Sequence, residues 1–464
     1  MIYIIKNKSE RRSIMISFFN KKIIIKVIAF ILLFFLFLYW NLLIQPISID
    51  EVWNYGFAHN ISNGLLPYKD FNMVLTPLYP FIMAIGLKIF GSSMLVFHIE
   101  HALVLTAFFI VLFRLINKRA YIVLLFCFFP MTRFFPSYNM FYLLLFSLLL
   151  LFEKEEKSDY LIGFIIGLIV LTKQSIGFIF CITSFYYLFF GYKKKFVKRI
   201  IGIFIPIFIF LIYLLVSNSL FEFLDLCVMG LLDFGNSNTS RAFELRCFIP
   251  LIVLFVYLIY CLRKNSKSIY NYYSLSGLFI VFPLIDSYHF YIGFLSFLIV
   301  FLIYHDNFSF IRIPLFTISI LIIIVLTYSC YRFSSNDFLY PNTLSHFEYR
   351  FIDKNSFKFS KDVLNYMDKH SDKEFIFLNS NAYFFRIIRN ERITYKDLIN
   401  EGNWGYHTNK KIMNKLINPN AIYFLQEDDL DNVFQICKDI MYYVIKHGDE
   451  IDFFGKYHVY VLNS

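Results

Sequence analysis

Charge is scarce in this chain of 464 residues: Asp, Glu, Lys and Arg together make up 17%. Soluble domains carry about a quarter of their residues as charges, so a soluble globular protein is excluded. Metal-binding cysteine patterns are also lacking. The seven cysteines (Cys127, Cys181, Cys227, Cys247, Cys261, Cys330 and Cys437) include no C-x-x-C and fall mostly in apolar runs, so they read as core or lipid-side residues. No internal repeat is evident, which argues against a transporter or flippase built from two related halves. A basic soluble domain is missing as well. Residues 331–464 hold 17 Lys and Arg against 18 Asp and Glu, so the net charge of +11 belongs to the remainder. That leaves a nucleic-acid partner nothing to bind and assigns the basic residues to membrane lipid head groups and orientation.

What the chain has is hydrophobicity: 58% of its residues are apolar, with 61 Phe and 34 Tyr. Apolar runs occur at 23–44, 94–113, 120–135, 138–152, 160–172, 176–190, 200–217, 247–262, 269–285, 290–304 and 311–329. Their length and lack of strand-like alternation predict a polytopic α-helical membrane protein with about 11 spans. No small-residue cleavage pattern follows the first run, so it reads as a retained helix.

The loops assign sidedness. If every run crosses, the N-terminus and alternate loops share one side and hold 20 Lys and Arg. The opposite loops before the tail hold six: Lys69, Lys88, Arg133, Lys173, Arg241 and Arg246. The positive-inside rule places the N-terminus in the cytoplasm and the tail outside a plasma (inner) membrane. A twelfth apolar stretch, Val74 to Phe90, would invert every later loop if it crossed, and it holds Pro77, Pro80 and Lys88. It is read as interfacial or re-entrant, giving a long first external loop over 45–93. Residues 1–330 then form a membrane module, and 331–464 a small external α/β domain. In the latter, "EFIFLN", "AIYFLQ" and "KYHVYVL" alternate like strands, Ser360 caps a helix, and "NVFQICKDIMYYVIKHG" has helical spacing.

Within the first external loop, "SIDEVWNYGFAHNISNGLLPYKDF" begins with adjacent carboxylates, Asp50 and Glu51, where the chain leaves the first span. A carboxylate there suits proton abstraction from a hydroxyl or divalent-cation binding, and equally an ordinary solvated loop start. His98 and His101, three apart with Glu100 between them, suit either a metal or polar packing.

The acidic pair, the G-x-x-P-Y-x-D segment through Tyr68 and Asp70, and the Pro-rich stretch closing in F-G resemble the first external loop of GT-C glycosyltransferases. That superfamily includes protein O-mannosyltransferases and lipid A aminoarabinose transferases. "GLIVLTKQSIG", with Lys173 and Gln174, is similar to the G-L-x-x-x-T-K segment of these enzymes. "FPLIDSYHF", with Asp286 and His289, resembles their P-x-x-D-x-x-H turn. The charge-derived topology puts all three on one face. One departure lies in "VFHIEHALV", where many relatives carry an arginine and this chain offers His98 or His101.

The resemblance implies a glycosyltransferase that moves a sugar, with inversion, from a polyprenyl-phosphate donor to a surface glycan, lipid or protein acceptor outside. It implies Asp50 as general base, with Glu51 orienting the acceptor or Asp50. Candidate donor and acceptor contacts are Lys69, Lys173, Gln174, Arg241, Asp286 and His289, while Tyr68 and Asp70 shape the loop around Pro67. A divalent cation (Mg or Mn) assists some relatives and not others. The rival readings are a transporter or flippase and a polymerase or ligase acting on lipid-linked saccharides.

Overall fold

The computed structural model describes residues 23–39, 41–42, 49–116, 136–233, 245–282, 285–304, 340–341, 343–352, 354–378, 382–394, 396–397, 404–406, 415–426, 435–455 and 457–463. Nine of the eleven apolar runs carry described helices; 120–135 and 311–329 lie outside the described residues. The described helices begin with α1 (Ile23–Tyr39), α2 (Ile49–Ser62), α3 (Leu78–Phe90), α4 (Met94–Leu115), α5 (Tyr138–Lys154) and α6 (Asp159–Thr172). They continue with α7 (Gln174–Gly191), α8 (Lys193–Val216), α9 (Leu220–Leu224), α10 (Leu245–Lys264), α11 (Ile269–Leu278) and α12 (Ser287–Tyr304).

Among the described residues, four helices are long and apolar enough to cross a membrane: α4, α7, α8 and α10. α8 and α10 leave apolar side chains such as Phe204, Phe208, Val253 and Val256 exposed, as a lipid-facing surface requires. α5 is different: Asn139 to Ser147 is buried without interruption, which places α5 inside the bundle. The stretch after Val74 forms only α3, whose 13 residues reach ~20 Å, too short for a ~30 Å hydrocarbon core.

Glycine sets the tightest helix crossing. A Cβ on Gly163 would lie 2.2 Å from the carbonyl oxygen of Arg199, and one on Gly202 would lie 2.2 Å from that of Tyr160, so α6 and α8 touch backbone to backbone. At the basic end of α8, the buried Arg199 guanidinium donates to Glu153 (2.6 Å), Asp159 (2.7 Å) and the Tyr273 hydroxyl (2.9 Å). Ion pairs and a phenol thus answer a charge that burial would otherwise make costly.

After residue 339 the described elements are β1 (Tyr340–Pro341), β2 (Phe351–Ile352), α13 (Lys354–Lys369), β3 (Glu374–Phe377), α14 (Ala382–Ile388), β4 (Ala421–Leu425), α15 (Gln435–His447), β5 (Gly448–Phe454) and β6 (Tyr457–Leu462). The four longer strands form one sheet ordered β3-β4-β6-β5, with β3 and β4 parallel and the remaining pairs antiparallel. Alternation along β3 sends Phe375 and Phe377 to a core with Val363, Met367 and Phe385, while Ile376 and Leu378 join Ile440, Met441 and Val444. α13 begins at Lys354, so Ser360 lies inside the helix instead of capping it. β5 is an added strand: alternation is weak in "GDEIDFF", an outer strand exposed along most of its length.

Candidate active site at the start of the first loop helix

α2 carries both loop carboxylates in its first turn, where the helix dipole favours negative charge. Successive residues on a helix point about 100° apart, and Asp50 and Glu51 accordingly enter different surroundings. Asp50 is half-buried, whereas Glu51 is wholly buried.

Asp50 lies in the field of groups from two distant segments: Lys173, and the pair Asp286 and His289. Burial pushes its carboxyl above the usual aspartate value, a rise that the positive charges of His289 and Lys173 oppose. Lys173 sits at the break between α6 and α7, where extended backbone (φ −148°, ψ 99°) interrupts two otherwise consecutive helices. Its Nζ donates to Asn139 Oδ1 (3.2 Å) and lies 5.4 Å from the centre of the Tyr138 ring. Asn139 in turn reaches the Tyr288 hydroxyl (3.4 Å), which bonds Ser137 Oγ at 2.9 Å.

Asp286 precedes α12 and caps it, accepting from the His289 backbone N–H at 2.8 Å. Its other oxygen holds His289 Nδ1 at 2.9 Å. Burial would raise the Asp286 pKa, but the hydrogen bonds and charge of His289 prevail and leave it below the ordinary value. One carboxylate is therefore shifted up and the other down, the kind of divergence that separates acid, base and orienting roles.

Glu51 belongs to a second cluster. Its Oε1 accepts from His98 Nε2 (2.8 Å) and from Arg350 Nη1 (2.8 Å), and Arg350 also donates to the Asn41 carbonyl oxygen (2.8 Å). His98 Nε2 lies between the Glu51 carboxylate and Arg350 Nη1, 3.1 Å from the latter. His101 turns elsewhere, 3.4 Å from the Tyr79 hydroxyl, so the two histidines serve separate neighbours.

Other loop candidates build the loop. The buried Tyr68 adopts a left-handed φ of 71°, donates to the Leu75 carbonyl oxygen (2.8 Å) and packs on Phe223. Asp70 accepts from Leu66 N (2.7 Å), and Lys69 is exposed in the same turn. Gln174 ties this loop to α7, donating to the Val74 carbonyl oxygen (2.8 Å) while its own oxygen faces Thr76 N (3.3 Å). Arg241 lies outside the described residues. Among the described residues, no group of three or more His, Cys, Asp and Glu side chains is placed to hold a metal ion.

Sequence reasoning passed over Ser137, Tyr138, Asn139, Tyr288 and Arg350. The first three form a polar run entering an otherwise apolar helix, a signal that was available. Arg350 is one of 17 basic residues in a neutral tail, and nothing local distinguishes it.

No protein-family sequence profile matches the chain, and no curated protein sequence matches it either. Its fold, however, is found among solved structures. Two crystal structures of ArnT from Cupriavidus metallidurans share it, at 10% sequence identity, covering 95% of this chain and 98% of theirs. The TM-score is 0.55 for ArnT bound to undecaprenyl phosphate and 0.57 for the apo state. At this identity it is a likeness of fold.

Proposed function

We propose that this protein is a membrane glycosyltransferase that transfers a sugar, with inversion, from a polyprenyl-phosphate donor to a hydroxyl of an acceptor outside the plasma membrane. The observation that carries the reading is that Asp50, Lys173, and the hydrogen-bonded pair Asp286 and His289 come within electrostatic range of one another from three segments more than a hundred residues apart in sequence. The shared fold supports it, because one of the two ArnT structures holds undecaprenyl phosphate.

Asp50 takes the proton from the acceptor hydroxyl as that oxygen attacks the anomeric carbon. A carboxylate of raised pKa is the stronger base, and partial exposure leaves it reachable. The bond from the anomeric carbon to the phosphate oxygen breaks, and the leaving polyprenyl phosphate keeps the bonding electrons. Its growing charge meets the Lys173 ammonium, which a largely buried setting makes more effective than it would be in water. Asp286 fixes the His289 ring, and Tyr138, Asn139 and Tyr288 fix Lys173. Glu51 orients the first turn of α2 and thereby Asp50. Lys69, exposed in the loop, and Arg241 are outer contacts for donor or acceptor. Mg or Mn would look to Asp50 and Asp286 for hard oxygens, and no step is routed through a metal.

Native mass spectrometry of the protein in nanodiscs with undecaprenyl phosphate tests the donor assignment. A bound lipid is expected, with affinity reduced about tenfold in Lys173→Met, corresponding to the loss of ~1.4 kcal/mol. Equal retention by the variant contradicts the assignment.

A further inference from the structure

We propose that Arg350, carried by the tail, is a positioning residue for the active site: its guanidinium pins both ends of the chain segment that presents Asp50. This inference rests on the function proposed above and extends it to a residue outside the membrane module. One Nη1 group donates to the Asn41 carbonyl oxygen, just beyond the end of α1, and to Glu51 Oε1 in the first turn of α2. Asp50 lies between these two anchor points, one residue before Glu51. Arg350 is itself held from the tail side. Leu344 and Phe347 bury beside it, Arg350 N donates to the Phe347 carbonyl oxygen (2.9 Å), and β1 pairs with β2 around the turn.

Both charged partners are essentially without solvent, at 1% and 0% side-chain exposure. A guanidinium stripped of water holds one carboxylate geometry, and removing it would strand Glu51 as a buried anion beside His98. The first turn of α2 would then shift to bring Glu51 to water and would carry Asp50 with it. Lys173 and the groups that hold it are on other helices and would stay in place. Loss of Arg350 is thus expected to lower turnover and spare donor binding.

The test uses the full chain in nanodiscs, with Arg350→Gln, Arg350→Lys, Asp50→Asn and the double variant Glu51→Gln/Arg350→Gln. Three quantities are read: turnover of a labelled polyprenyl-phosphate sugar, undecaprenyl phosphate affinity, and amide hydrogen exchange over residues 49–54. Arg350→Gln is expected to lower turnover about 100-fold, the scale of a ~1 Å misplacement. Lipid affinity stays within twofold, exchange accelerates in the first turn of α2, and Arg350→Lys recovers part of the rate. Asp50→Asn loses turnover while keeping wild-type exchange, which separates failure of the functional reading from failure of the clamp. Wild-type turnover and exchange in Arg350→Gln overturn the proposal. So does loss of protection throughout the tail in both Arg350→Gln and the double variant, because Arg350 would then serve folding alone.

Discussion

Gly56 offers a direct way to loosen the tail from the helix that carries Asp50. It lies on the α2 face that meets the tail: the Trp53 and Phe57 rings stand 6.4 Å and 6.1 Å from that of Tyr383, and Asn60 makes two hydrogen bonds to the Ile393 backbone. A Cβ added at Gly56 would sit 1.9 Å from Ile393 Cδ1 and 2.9 Å from Tyr383 Cδ1. Ile393 can rotate its terminal methyl, but both side chains are buried, so Gly56→Ala overpacks a closed contact at a cost of ~1–3 kcal/mol. Alanine also favours a helix over glycine by ~1 kcal/mol. That gain applies equally whether or not the tail is docked, so it cancels from the docking equilibrium but not from overall stability. The docking constant should fall about 5- to 150-fold while the melting temperature changes little. Hydrogen exchange over residues 49–62 reports docking, with Gly191→Ala as control because a Cβ there meets nothing within 4 Å. Unchanged α2 protection in Gly56→Ala refutes the packing argument.

Gly202→Val puts a branched side chain where even a Cβ lies 2.2 Å from backbone that cannot rotate away, and it should cost ~1–3 kcal/mol or more, read as a lowered melting temperature graded through Gly202→Ala. An undiminished melting temperature contradicts the close α6–α8 crossing. The rate should fall with acidification through a pKa above the ordinary 3.8 of aspartate, since Asp50 must be ionised to accept a proton. The same shift gives the sign for stability. Asp50 favours the folded state below its unfolded pKa and loses that contribution as pH rises through the higher folded pKa, so Asp50→Asn should be at least as stable as wild type at neutral pH. A lower melting temperature for that variant at pH 7 counts against the buried-charge account. With Lys173 and His289 supplying positive charge, transfer should persist in EDTA, and a loss restored by Mg or Mn would assign that role to a cation.

Hydropathy made the helical membrane class legible because lipid demands apolar helices, and Lys173 stood out because an ionisable group is costly inside an apolar run. The stretch from Val74 to Phe90 was legible as short and proline-rich, and its helix is 13 residues long. The division of labour between Asp50 and Glu51 was not legible. Adjacent acids look alike in sequence, and the partner that buries Glu51 lies 299 residues away in the chain. An arginine reaches His98 from the tail, where pairing depends on tertiary contact and leaves no local pattern. β5 escaped for a related reason: an exposed outer strand carries little of the alternation that marks a buried one.

The central claim is that Asp50 is the base of a lipid-linked sugar transfer, and turnover of Asp50→Asn in nanodiscs with a labelled polyprenyl-phosphate sugar tests it most directly. The isosteric amide keeps shape and removes the proton acceptor. Turnover is predicted to fall about 10²- to 10⁴-fold with undecaprenyl phosphate still bound. A rate within a few-fold of wild type contradicts the account.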